Sequence, residues 1–163
     1  MIRKHDTVET LLDALPFIKK YNNEIVVIKY GGSAQTSPIL KEKFAQDILL
    51  LYLVGLKPVI VHGGGKKITD MLTALQIDTE FIDGQRVTTP EVMRIVEMVL
   101  SGEINNEIVS LLNSHGAKAI GLNGKDAHFI LAEPKEHAKW GLTGTITDIN
   151  ADVIHKMIRE KFV

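Results

Sequence analysis

Apolar positions along the chain recur with two different periods, and the alternation between them outlines the fold. Residues 24–30 and 59–62 are short β-branched runs, Val26-Val27-Ile28-Lys29-Tyr30 and Val59-Ile60-Val61-His62, that read as buried strands. Each stops at glycines, Gly31-Gly32 after the first and Gly63-Gly64-Gly65 after the second, and helical patterns follow over 41–54 and 66–75. Lys57-Pro58 opens the second strand. Ahead of them, residues 7–20 place Val8, Leu11, Leu12, Leu15 and Ile18 on one helical face, with Pro16 predicting a kink or break. That helix is expected to pack on the domain's own sheet, the alternative being an exposed arm that packs on another subunit. Further on, 79–82 and 85–88 flank Asp83-Gly84 as a hairpin. Thr89-Pro90 is a helix start, and the pattern runs to Ser114 with a bend expected near Ser101-Gly102. Residues 118–122, 129–132 and 144–149 read as short strands and 151–161 as a last helix. Strands alternating with helices predict an α/β domain with a largely parallel sheet. Lys161-Phe162-Val163 reads as the start of another strand, so the chain is expected to be the front part of a longer protein.

Composition narrows the function classes. A chain of 163 residues with 45% hydrophobic and 24% charged content suits one globular domain with a sizeable core. A net charge of -1 does not suggest a surface for nucleic acid. The absence of cysteine rules out disulfides and thiolate metal sites in this chain, and the six histidines show no ligand spacing. Ile48–Val54, the longest apolar run, is far short of the roughly 20 residues that span a bilayer. The amino terminus has no signal-peptide form, so a cytoplasmic, membrane-free protein is expected.

The candidate chemistry sits at the two glycine turns. Without Cβ atoms, backbone N–H groups there can approach an anion closely, and a following helix adds the positive end of its dipole. Lys29, at the carboxyl end of its strand where α/β proteins place ligands, can set an ammonium beside them. Neither a G-x-G-x-x-G fingerprint nor a Walker A loop is present, which argues against a dinucleotide-binding domain. Arg86 has the planar fork for a carboxylate, provided its hairpin folds over the glycine turns. His62 is expected to pack or cap its turn, Trp140 to pack, and Asn123–Asp126 to form a turn with solvated charges.

Ile28-Lys29-Tyr30-Gly31-Gly32, His62-Gly63-Gly64-Gly65 and Gly84-Gln85-Arg86-Val87-Thr88, in this order and spacing, resemble the amino-acid kinase family. The Arg-Val-Thr hairpin, Gly121–Asp126 and Gly141-Leu142-Thr143-Gly144 are similar to the branch acting on N-acetyl-L-glutamate in arginine biosynthesis. The resemblance implies a three-layer αβα sandwich with its C-terminal half absent. Residues 1–22 would form a helical arm, and 23–163 the acetylglutamate-binding lobe without the nucleotide-binding lobe. It implies transfer of the γ-phosphoryl of ATP, carried with Mg²⁺, to a side-chain carboxylate. Lys29 would stabilise the transferring group, with Gly31 and Gly32 at the ATP phosphates. Gly32 and Gly64 would donate N–H groups to it. Gly64 and Gly65 would line the acetylglutamate site, and Arg86 would clamp the α-carboxylate. It further implies a homo-oligomer, a dimer or a hexamer built through residues 1–20, feedback inhibition by arginine, and no turnover by this chain alone. Kinases for aminoadipate, aspartate or glutamate, and a non-catalytic binding or assembly module, remain the alternatives.

Overall fold

A computed structural model describes residues 4–135 and 138–163; His137 and the first three residues of the expected arm lie outside the described residues. Strands β1 (Ile25–Tyr30) and β2 (Lys57–His62) pair in parallel, in register from Ile25 opposite Lys57 to Tyr30 opposite His62. The parallel arrangement needs a crossover, and helix α2 (Pro38–Leu53) supplies it. Its Ser37 side chain accepts the N–H of Leu40 and Pro38 takes the first turn, so the helix begins three residues before the expected Lys41.

One face of the strand pair holds the core. Ile28, Tyr30, Pro58 and Ile60 meet Ala45 and Ile48 of α2, Ile68 and Leu72 of α3 (Gly65–Ala74), and Val92 and Ile95 of α4 (Pro90–Glu97). Tyr30 stacks on Phe44 with ring centroids 4.0 Å apart. As expected, Thr89 caps α4 by accepting the N–H of Val92, with Pro90 in the first turn. The expected bend near Ser101-Gly102 is a π-helical segment, Met98–Ile104, that runs without interruption into α5 (Asn105–Ser114). The wider turn lets Val99 and Ile104, five residues apart, both face the core. On the opposite sheet face Ile25, Val27 and Val61 are exposed beside Lys29.

Other expectations need correction. Residues 118–122 form no strand ladder with β2. They are extended backbone held by Val163, whose N–H donates to the Lys118 carbonyl (2.8 Å) and whose carbonyl accepts from Ile120 (3.1 Å). The Asn113 side chain takes the place of a second strand, accepting the N–H of Ala119 and donating to its carbonyl. An apolar groove of about 340 Å³, lined by Val59, Val61 and Leu122, separates this segment from β2. The hairpin is shorter than expected, with two-residue strands β3 (Phe81–Ile82) and β4 (Gln85–Arg86). Strands β5 (Ile130–Pro134) and β6 (Gly144–Ile149) form a separate antiparallel ribbon, and α6 (Asp152–Arg159) follows.

Helix α1 (Lys4–Tyr21) passes through Pro16 unbroken, so the expected break is absent. It does not pack on the sheet either: Val8, Leu11, Leu12, Leu15 and Phe17 are all exposed. An exposed helix loses less at an internal proline, because water can satisfy the carbonyl left without an N–H partner. Truncating the two kinds of leucine should therefore differ sharply. Leu72→Ala, at a side chain 1% exposed, should cost about 2–5 kcal/mol. Leu11→Ala, at a side chain 61% exposed, should change stability by no more than about 0.5 kcal/mol. Urea unfolding followed by circular dichroism separates the two, and equal losses would place α1 in the core.

Candidate active site

Register brings the two glycine turns together. Tyr30 and His62 are the last paired residues of β1 and β2, so Gly31-Gly32 and Gly63-Gly64-Gly65 leave the sheet side by side. Gln35 ties them together: its Nε2 donates to the Tyr30 carbonyl and to the Gly63 carbonyl, both at 3.0 Å. A cleft of about 670 Å³ opens between the turns, lined by the candidate residues Lys29, Gly31, Gly32, Gly64 and Gly65. Lys41, Lys66, Lys67 and Asp70 also line it.

The glycines have distinct roles. Around Gly31, Gly63 and Gly65 a Cβ would meet nothing within 4 Å, so their backbone faces open space. Gly32 has φ +60, a left-handed conformation suited to glycine. At Gly64 a Cβ would lie 2.3 Å from Ile104 Cδ1 and 2.9 Å from Leu100 Cδ2, so the missing side chain lets the turn seat on the π-helical segment. Gly64 also precedes α3 without any side-chain cap, leaving first-turn N–H groups available at the cleft.

The cations divide into two groups. Lys41 and Lys67 are neutralised from behind: Glu107 pairs with both, at 2.8 Å from the Lys67 ammonium, and Glu103 lies 2.7 Å from Lys67. Hydrogen bonds from Lys41 and then Lys67 hold the Glu107 carboxyl below its usual range, against the opposing effect of burial. For Lys67, burial lowers the pKa, but the bonds to Glu103 and Glu107 together raise it. Lys29 and Lys66 are exposed, and neither forms an ion pair within the described residues. Their charge is available to an anion.

Arg86 reaches the second turn through the folded hairpin. Its Nη2 donates to Thr69 Oγ1 (2.8 Å) and to the Gly65 carbonyl (3.4 Å), Nη1 donates to Thr79 Oγ1 (3.3 Å), and the guanidinium lies 4.6 Å from the Phe81 ring centroid. Half-burial lowers its pKa, yet a guanidinium stays charged. Arg86 adjoins the cleft at Gly65 without lining its main volume. Burial lowers the pKa of His62, against the opposing effect of the Gly63 backbone, and its Nδ1 is a buried atom without a hydrogen-bond partner among the described residues. The Asn123–Asp126 turn is closed by Asp126 accepting the Asn123 N–H, and the Lys125 charge is solvent-exposed as expected while also pairing with Glu97 at 2.6 Å. Among the described residues no group of three His, Asp or Glu side chains could hold a metal ion. Sequence reasoning missed Gln35, Lys41, Lys67 and Glu107, because their roles depend on pairings 28 to 66 residues apart.

A parallel strand pair with two glycine turns at one end, and the exposed ammoniums of Lys29 and Lys66 beside them, is the arrangement in which the family comparison is read. The chain belongs to the amino acid kinase family, whose model matches residues 24–163. Over all 163 residues it is 71% identical to the acetylglutamate kinase of Sulfurimonas denitrificans and 71% identical to that of Nitratiruptor sp.. It spans 58% and 57% of the length of these two relatives. A crystal structure of smu.665 from Streptococcus mutans UA159 shares the fold at a TM-score of 0.75 and 28% identity, over 85% of this chain and 56% of that one. The family expected from Lys29-Tyr30-Gly31-Gly32 and His62-Gly63-Gly64-Gly65 is the family found.

The ion network yields a test by pH. Because the folded pKa of Glu107 lies below its unfolded value, its contribution to stability is complete above the ordinary carboxyl value of 4.5 and is lost as pH falls through the folded pKa. Glu107→Gln should therefore be less stable than the parent at pH 7, with the difference closing as the pH drops below 4.5. Urea midpoints measured across that range check it; a pH-independent difference would assign the loss to packing.

Proposed function

We propose that this chain is the acceptor-side lobe of an acetylglutamate kinase, which transfers the γ-phosphoryl group of ATP to the side-chain carboxylate of N-acetyl-L-glutamate. One observation carries the reading: the hairpin delivers Arg86 to the glycine turn that already borders Lys29, so a dicarboxylate and a phosphoryl group could be held at one place. The naming of relatives 71% identical supports the choice of acid.

The chemistry asks little of the protein beyond position and charge. A carboxylate with a reference pKa of about 4.3 is already ionised at neutral pH, so no general base is required. One of its oxygens forms a bond to the γ-phosphorus while the bond to the bridging oxygen breaks, and the electron pair leaves on the β-phosphate of ADP. Lys29 stabilises the negative charge of the transferring group, with Gly31 and Gly32 beside the ATP phosphates. The backbone N–H groups of Gly32 and Gly64 serve that same group. Gly64 and Gly65 line the acetylglutamate site, and Arg86 clamps the α-carboxylate. The open space around Gly31, Gly63 and Gly65 and the unpaired ammoniums of Lys29 and Lys66 suit a polyphosphate, on which Mg²⁺ would be carried. The remainder of the nucleotide site is proposed to lie in a second lobe, so binding of the acid is the readout for this chain.

Calorimetric titration should show saturable binding of N-acetyl-L-glutamate in preference to glutamate, aspartate or aminoadipate. Arg86→Ala should weaken it by about 1.5–3 kcal/mol, the usual worth of a charged hydrogen-bonded pair. Tighter binding of another acid would reassign the substrate, and binding indifferent to Arg86 would remove the clamp.

Helix α1 is proposed to pack its exposed Val8, Leu11, Leu12 and Leu15 stripe against a second copy of the chain, and residues 1–22 and 23–163 to act as arm and lobe. Deletion of residues 1–20 should reduce the mass of the assembly in light scattering; an unchanged mass would exclude the arm from assembly.

A further inference from the structure

We propose that residues 140–142 form a strap that holds the β3–β4 hairpin over the second glycine turn, making Trp140 and Gly141 positioning residues for Arg86. The inference rests on the reading of Arg86 as the carboxylate clamp. It begins from a physical shortfall. A ladder of two residues on each side, Phe81 with Arg86 and Ile82 with Gln85, cannot order a hairpin by itself in water.

The strap grips the hairpin at tip and base. At the tip, the Trp140 indole N–H donates to the Ile82 carbonyl (3.1 Å) and Lys139 pairs with Asp83 at 3.0 Å. Lys135 donates to the Gln85 side chain at 3.0 Å, and the ammoniums of Lys135 and Lys139 lie 4.8 and 4.1 Å from the indole centroid. At the base, the Thr88 N–H donates to the Trp140 carbonyl (3.1 Å), and the Thr88 carbonyl accepts the N–H of Leu142 (2.7 Å). Thr88 is the buried polar residue of this region, and its hydroxyl donates to the carbonyl of Arg86 (3.1 Å). The path from strap to guanidinium is therefore two residues long.

Gly141 shows how close the fit is. Its φ is +63, and a Cβ there would stand 2.2 Å from the Thr88 carbonyl oxygen, a backbone atom that cannot move aside as a flexible side-chain end could. Any side chain at 141 must push the strap off the hairpin. Glycine here serves the pairing with Thr88, and tryptophan beside it supplies a side-chain bond to the backbone of the hairpin's first strand.

Two readouts test the strap. The first needs no ligand: in Gly141→Ala the Val87 amide, which donates to the Glu80 carbonyl, should exchange with solvent about tenfold faster or more, while amides of α5 keep their rate. Unchanged exchange at Val87, or equal acceleration throughout the molecule, would overturn the proposal. The second compares affinity for N-acetyl-L-glutamate with that for its α-amide. Trp140→Phe and Gly141→Ala should both erode the preference for the free carboxylate, and Arg86→Ala combined with either should be no worse than Arg86→Ala alone. Losses that simply add would show the strap acting independently of Arg86 and would overturn the positioning role. If the parent chain binds neither ligand, it is the clamp reading that fails, and the exchange result decides the strap by itself.

Discussion

The parallel pairing of β1 with β2 is the constraint from which the site follows. In a parallel pair both strands run out of the sheet at the same end, and the register of Tyr30 with His62 makes them run out together. Glycines after each strand then face one another across a single cleft, instead of lying at opposite ends of the sheet as an antiparallel pair would place them. The pairing needs a crossover helix, and α2 provides it while burying Ala45 and Ile48 against the strands. A shift of one residue would exchange the faces of β2 and turn Pro58 and Ile60 out of the core. The core therefore enforces the register, and the register enforces the cleft.

Electrostatics inside the cleft are divided by ion pairing. Four lysines line it, and Lys41 and Lys67 are neutralised by Glu103 and Glu107 of the π-helical segment and α5. The π-helical turn contributes twice, since it seats Leu100 and Ile104 against Gly64 and also carries Glu103 to Lys67. Lys29 and Lys66 remain uncompensated where the glycine backbones are open. An incoming anion thus meets positive charge only where the backbone can also donate to it. Had all four ammoniums been free, their mutual repulsion would have opposed closure of the turns on each other.

What could be read from the sequence alone was what local patterning determines. Both strands, both glycine turns, the Thr89-Pro90 start and the hairpin turn are signalled by residues within a few positions of one another. Ser37-Pro38 carries the same signal as Thr89-Pro90, and reading it would have started α2 correctly. Residues 118–122 have a strand's composition, but a strand exists only with a neighbour. Here Asn113 and Val163 occupy the hydrogen-bonding positions that a ladder would use. The apolar stripe of α1 was legible in the sequence, but its exposure was not, because periodicity marks a face without naming what lies against it. Gln35, Glu107 and Trp140 were opaque for one reason: each acts on a partner far along the chain, and nothing local marks a glutamine, a glutamate or a tryptophan as a bridge.

The two sides of the site are held by different means, and this bears on how the site can work. Lys29 and the glycine turns extend directly from the central strands, so they cannot move without disturbing the core. Arg86 sits on a hairpin whose own ladder is minimal and whose fastening is a handful of hydrogen bonds to 140–142 and to Thr69 and Gly65. Few buried apolar contacts and several exposed polar ones mark a segment that opens at a fraction of the global unfolding free energy. The Lys29 side is thereby anchored in the core, and the Arg86 side can be released without unfolding the rest of the chain. A cleft with one wall fixed by the core and the other fastened by a few hydrogen bonds can change its opening by movement of the hairpin alone.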